Sequence, residues 1–75
     1  MITLTENVLV FKTDIDDDHQ WNSIKKNLEL HLPISSCSLD FEDVDRVLRV
    51  IGSEIEPFEV KTIIEQQGKT CSELT

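Results

Sequence analysis

The segment "NVLVFKT", Asn7–Thr13, carries apolar side chains on both faces of an extended chain. Side chains alternate along a strand, so Val8 and Val10 fall on one side and Leu9 and Phe11 on the other. A strand apolar on both sides belongs in the middle of a sheet, with partners along both of its edges. Later strands are expected to pair with it there.

The rest of the sequence supplies them in a fixed order. Trp21, Ile24 and Leu28 recur at the spacing of an amphipathic helix, with Asn22, Lys25 and Lys26 on its outer side. The helix is expected over 18–30, ending before Pro33, which disfavours helical geometry in the residue ahead of it. "ISSCSLDF" alternates, with Cys37, Leu39 and Phe41 on one face and Ser36, Ser38 and Asp40 on the other. The polar turn "EDVD" and the apolar "RVLRVIG" then complete a hairpin. Pro57 suits the first position of a second helix and Gly68 its C-terminal cap, with Val60, Ile63, Ile64 and Gln67 facing inward. "KTCSEL" leaves room for one short edge strand.

Strands at 7–13, 34–42, 46–52 and 69–74 with helices at 18–30 and 57–67 give the order β-α-β-β-α-β. This is an α+β fold of ferredoxin-like type, a four-stranded antiparallel sheet with two helices on one face. The second and fourth strands then occupy opposite edges, which keeps Cys37 and Cys71 beyond the roughly 7 Å limit for a disulfide. Residues 1–75 are read as one domain, and Ile24, Leu28, Ile63 and Ile64 as its core, with Trp21 at the core or its edge.

Composition narrows the function classes. Fifteen acidic residues against 7 basic ones give a net charge of −8. Such a surface repels phosphate backbones and anionic lipid, so neither nucleic acid nor a membrane is expected as a partner. No stretch approaches the roughly 20 apolar residues of a membrane span. The N-terminus has neither the basic residues nor the cleavage site of a signal peptide, and the expected location is the cytoplasm. The two cysteines form no Cys-x-x-Cys pair and read as reduced, half-buried thiols.

Three stretches resemble the heavy-metal-associated domains of copper chaperones and metal-transporting ATPases. "FKTDIDDDHQ" is similar to a bacterial variant of their metal loop that reads Phe-Lys-Thr-Asn-Ile-Asn-Cys-Gly-Gly-Cys. "ISSCSLDFED" resembles the second strand of those domains, and "VKTIIEQQGK" their second helix with its closing glycine. The resemblance implies the same β-α-β-β-α-β fold. It also places the two metal-binding cysteines of those domains on Asp17 and Gln20, and a methionine found in many of them on Ile15. Lys69 follows the closing glycine, where some eukaryotic copper chaperones carry a lysine near the metal. It is expected to meet Asp17 or Asp18 here. A carboxylate and a neutral amide cannot replace the two thiolates that hold Cu(I), so no soft metal and no cofactor are expected.

The loop "TDIDDDHQW" has chemistry of its own to weigh. Asp14, Asp16 and Asp18 have the spacing that opens a calcium loop, but His19 stands where that loop needs glycine and Lys25 where it needs a bidentate glutamate. Carboxylates at a helix start accept bonds from its free N–H groups and complement its dipole, each effect contributing about 0.5–2 kcal/mol. The stretch is therefore read as a helix cap. The alternative is a divalent-cation-binding protein using the acidic loop Asp14–His19, with Asp16, Asp17, Asp18 and His19 as ligands; His31 is too far along the helix to join them. No nucleophile–base set or phosphate-binding glycine loop is present, so no enzyme is expected. The first reading is a non-enzymatic protein-interaction module with an unidentified protein partner. Weak homodimerisation through the open sheet face, where Val47 and Ile51 alternate with Leu48 and Val50, is a further expectation.

Overall fold

The computed structural model describes residues 6–74. Six elements follow in order: β1 (Glu6–Thr13), α1 (Asp18–His31), β2 (Ile34–Asp40), β3 (Val47–Ser53), α2 (Pro57–Gln66) and β4 (Cys71–Glu73). They form one antiparallel sheet in the order β2-β3-β1-β4, with β2 and β4 on opposite edges. The observed limits differ from those expected by one or two residues, the ordinary fraying of element ends. The hairpin loop takes Phe41 and Glu42 from the expected second strand, and the fourth strand starts at Cys71.

β1 lies in the centre because both of its faces are apolar. On the helix side Leu9 stands opposite Val50 and Phe11 opposite Leu48, while Thr13 stands opposite Cys71 on β4. Phe11, Leu48, Val50 and Cys71 are buried together with Ile24 and Leu28 of α1 and Val60, Ile63 and Ile64 of α2. Each of the fully buried large side chains contributes about 1.5–3 kcal/mol by leaving water. Trp21, Leu9, Ile34, Cys37 and Leu39 are half-buried and pack around this centre.

Gln67, expected to face inward, is exposed. α2 has already ended there: Gln67 is its C-cap, and Gly68 follows at φ 80°. The Gly68 N–H donates to the Glu65 carbonyl and the Lys69 N–H to that of Ile64, a Schellman closure that turns the chain out of the helix. At the other end of α2, the Glu59 carboxylate accepts from the Glu56 N–H at 3.0 Å within a capping box.

Gly52 is required for a different reason. A Cβ there would lie 2.6 Å from the Pro33 carbonyl oxygen and 2.8 Å from Ile34 Cα, where β2 begins against β3. β2 also carries an irregularity between Ile34 and Ser36. The hairpin loop is held to the central strand by Thr13, which is buried. Its hydroxyl donates to the Arg46 carbonyl at 2.7 Å and its N–H donates to the Asp45 carbonyl at 3.0 Å. These bonds help to fix Arg46 at φ 45°, a left-handed conformation that a side chain disfavours.

The face away from the helices is open. Val8 is 59% exposed on it, and Ile51 stands directly opposite Val8 on β3. Val47, expected to contribute to this open apolar surface, is instead only 8% exposed, so the patch is smaller than the alternating pattern suggests. Cys37 and Cys71 are both free thiols, on β2 and β4. Three strand spacings separate those edges, roughly 14 Å, too far for a disulfide.

Truncation of Ile24 to Ala should cost about 2–5 kcal/mol in denaturant unfolding, because the cavity it leaves is enclosed by both helices and the sheet. Gly52→Ala should cost about 1–3 kcal/mol, since its methyl group meets backbone rather than a side chain that can move aside. Burial pushes the Cys71 thiol up to about 12. The folded protein thus keeps a proton that the unfolded chain releases, so this group's contribution to stability is complete below about pH 9 and is lost as pH rises toward 12. Urea midpoints from pH 8 to 11 should fall for the native protein and fall less for Cys71→Ala.

Candidate functional site

The connection from β1 to α1 is built on Ile15. It is completely buried, while Asp14 and Asp16 on either side are exposed. Burial of this one apolar side chain turns its two neighbours outward and presents the acidic stretch at the surface. The Ile15 N–H also lies 3.4 Å from the Thr13 hydroxyl.

Three carboxylates of the stretch have separate partners. Asp14 Oδ1 accepts from the Thr70 N–H at 2.8 Å, which ties the loop to the segment between α2 and β4. Asp16 Oδ1 is 3.7 Å from Lys69 Nζ, with the lysine side chain 18% exposed and the aspartate 66%. Lys69 thus meets the acidic loop, but at Asp16 rather than at Asp17 or Asp18 as expected. The two are joined because Asp16 flanks the buried Ile15, whereas Asp17 has begun the helix. A pair this exposed contributes about 0–1 kcal/mol.

Asp17 is the N-cap of α1. It adopts extended geometry, with φ −143° and ψ 155°, and its Oδ1 accepts from the Gln20 N–H at 2.7 Å. Its carbonyl accepts from the Trp21 N–H at 3.1 Å. The expected cap is therefore present. It directly links the two positions that the resemblance equates with metal-binding cysteines. Asp18 occupies the first turn, where its charge complements the helix dipole. His19 is exposed, and the Gln20 side-chain oxygen is buried with no hydrogen-bond partner.

Among the described residues, no group of three or more His, Cys, Asp or Glu side chains is arranged to hold a metal ion. Asp14 turns to Thr70, Asp16 to Lys69 and Asp17 to the helix backbone, so three neighbouring carboxylates serve three separate contacts. The donor set does not fit Cu(I) either, since the loop offers oxygen and nitrogen but no sulfur. Cys37 and Cys71 lie on the two sheet edges and cannot reach one ion together.

Sequence reasoning did not assign Thr13 or Thr70 to this site. Thr13 joins it to the hairpin loop, and Thr70 contributes only a backbone N–H. A buried hydroxyl paired across the fold leaves no local pattern, and a backbone donor leaves none at all. The hairpin loop with Glu42, Asp43 and Asp45 lies at the same end of the sheet.

No protein-family profile matches this sequence, and no curated protein matches it. Solved structures do match in fold. A copper transporter domain from yeast, determined in apo and Cu(I)-loaded states, superposes with a TM-score of 0.77 at 20% identity, over 91% of this chain and 94% of that one. The copper(I)-loaded first domain of the human copper chaperone for SOD1 gives a TM-score of 0.74 at 17% identity, over 92% and 93% of the two chains. The apo heavy-metal-associated domain of a copper chaperone for superoxide dismutase gives 0.77 at 16% identity, covering 100% of this chain and 74% of that one. The chain has the fold of the heavy-metal-associated domains of copper chaperones.

Proposed function

We propose that this chain is a non-enzymatic domain on a heavy-metal-associated scaffold that has given up its sulfur site and acts through contact with another protein. The observation that carries the reading is the bond from the Gln20 N–H to Asp17 Oδ1. Where the resemblance places two thiolates, a carboxylate caps the helix and a neutral amide side chain follows it. Cu(I) prefers two deprotonated sulfurs on one short loop, and oxygen donors discriminate against it. Cytoplasmic location is part of the same proposal. The structure adds that no helix among the described residues is long and apolar enough to cross a membrane.

Competition against a colorimetric Cu(I) chelator of sub-nanomolar affinity tests this. The native protein should leave the copper with the chelator, whereas the double variant Asp17→Cys/Gln20→Cys should withdraw a measurable share. Copper withdrawn by the unmodified chain would overturn the reading. Calorimetric titration with Zn²⁺, Ni²⁺ and Mn²⁺ tests the alternative of a harder cation on Asp14–His19. Any heat should be small and salt-sensitive, and should vanish as the loop is protonated. A saturable site that survives added salt and is lost in Asp16→Asn would establish the cation-binding function instead.

A further inference from the structure

The charge of −8 makes it costly for two copies to meet through most of the surface. One stretch escapes this cost. Leu30–Leu39 is the longest run without a formal charge, and it contains most of β2. Among the described residues β2 is also an edge of the sheet, paired to β3 along one side only. It contains no lysine and no proline, two of the usual protections of an edge. The irregularity at Ile34–Ser36 shortens the regular part to Ser36–Asp40. The opposite edge is the three-residue β4, which ends in Glu73.

The residues that β2 turns toward the helices are incompletely covered. Cys37 stands opposite Val50 and Leu39 opposite Leu48, so both belong to the core layer, yet both remain half-exposed. α1 is the helix that packs on this side of the sheet. Its Lys25 and Glu29, one turn apart, both lie close enough to Cys37 to influence its thiol electrostatically, with opposite signs. The edge is thus flanked by one positive and one negative side chain, in that order along the helix.

We propose that a second copy of this chain pairs with it through β2, antiparallel, about a two-fold axis at Cys37. The register sets Cys37 beside the partner's Cys37, and Ser36 opposite Ser38 of the partner subunit. The same axis reverses α1, bringing Lys25 against the partner's Glu29 and Glu29 against the partner's Lys25. The surface is self-complementary in hydrogen bonding, apolar cover and charge, which is what an isologous contact demands. The result is one eight-stranded sheet with four helices on one face. It names the partner for the interaction module proposed above and rests on that reading only for its purpose. Copper withdrawn by the native protein would overturn that function and leave the pairing intact.

Sedimentation equilibrium on the native protein, Lys25→Glu and Glu29→Lys tests the pairing, with circular dichroism confirming that each variant folds. Each variant alone places like charges together and should dimerise about tenfold more weakly than the native chain. An equimolar mixture of the two should recover the native affinity. Directly opposed strand residues lie within disulfide reach. Diamide, which takes up the two electrons and two protons released, should therefore crosslink Cys71→Ser but not Cys37→Ser. A native protein that stays monomeric at millimolar concentration would overturn the proposal. So would a mixture no tighter than its parts, or a dimer abolished by Val8→Lys on the open sheet face and unaffected by Lys25→Glu.

Discussion

The pairing of β1 with β3 is the contact on which the molecule depends. Leu9 against Val50 and Phe11 against Leu48 form the floor on which both helices rest. Both outer strands attach to this pair, β2 through β3 and β4 through β1. The apolar row of Leu9 and Phe11 faces the helices and is covered by them, while Val8 on the other face stays 59% exposed; a central place lets both outer strands attach to the β1–β3 pair. Once β1 is central, the crossing to α1 must leave from the end of the sheet where Thr13 meets the hairpin loop.

That geometry separates scaffold from chemistry. Ile15 is buried, Asp17 caps α1 and Gly68 closes α2, so the loops at this end are held by packing and backbone bonds that need no metal. Cysteines at a helix start would be presented by the same backbone. The fold therefore places no demand on what stands at Asp17 and Gln20 beyond a residue able to cap. A superposition with copper-handling domains and a loop without sulfur are compatible for this reason.

The elements were legible because each has a local cause. The period of Trp21, Ile24 and Leu28, the proline at 57 and the glycine at 68 act within a few residues, and they place helices and caps correctly. Asp17 as a cap was readable in the same way. What escaped is what depends on distant partners. Lys69 finds Asp16 because Ile15 is buried, and Ile15 is buried only once sheet and helices have closed over it. The bond from Thr70 to Asp14 joins positions at opposite ends of the chain, and nothing near either residue announces it. Val47 was misplaced for a related reason: alternation tells which face a residue takes, and the cover over that face comes from elsewhere in the fold.

The central place of β1 also bears on synthesis. It is made before every strand it pairs with, and its partners Leu48–Ser53 and Cys71–Glu73 leave the ribosome much later. Until then a nascent chain holds a two-faced apolar segment that no local hairpin can shelter. Distant pairing of this kind is slow to form, and the waiting strand is open to misassociation. The aspartates that follow it in sequence keep that stretch soluble and repel neighbouring nascent chains, so the acidic loop serves the chain before there is any fold for it to cap.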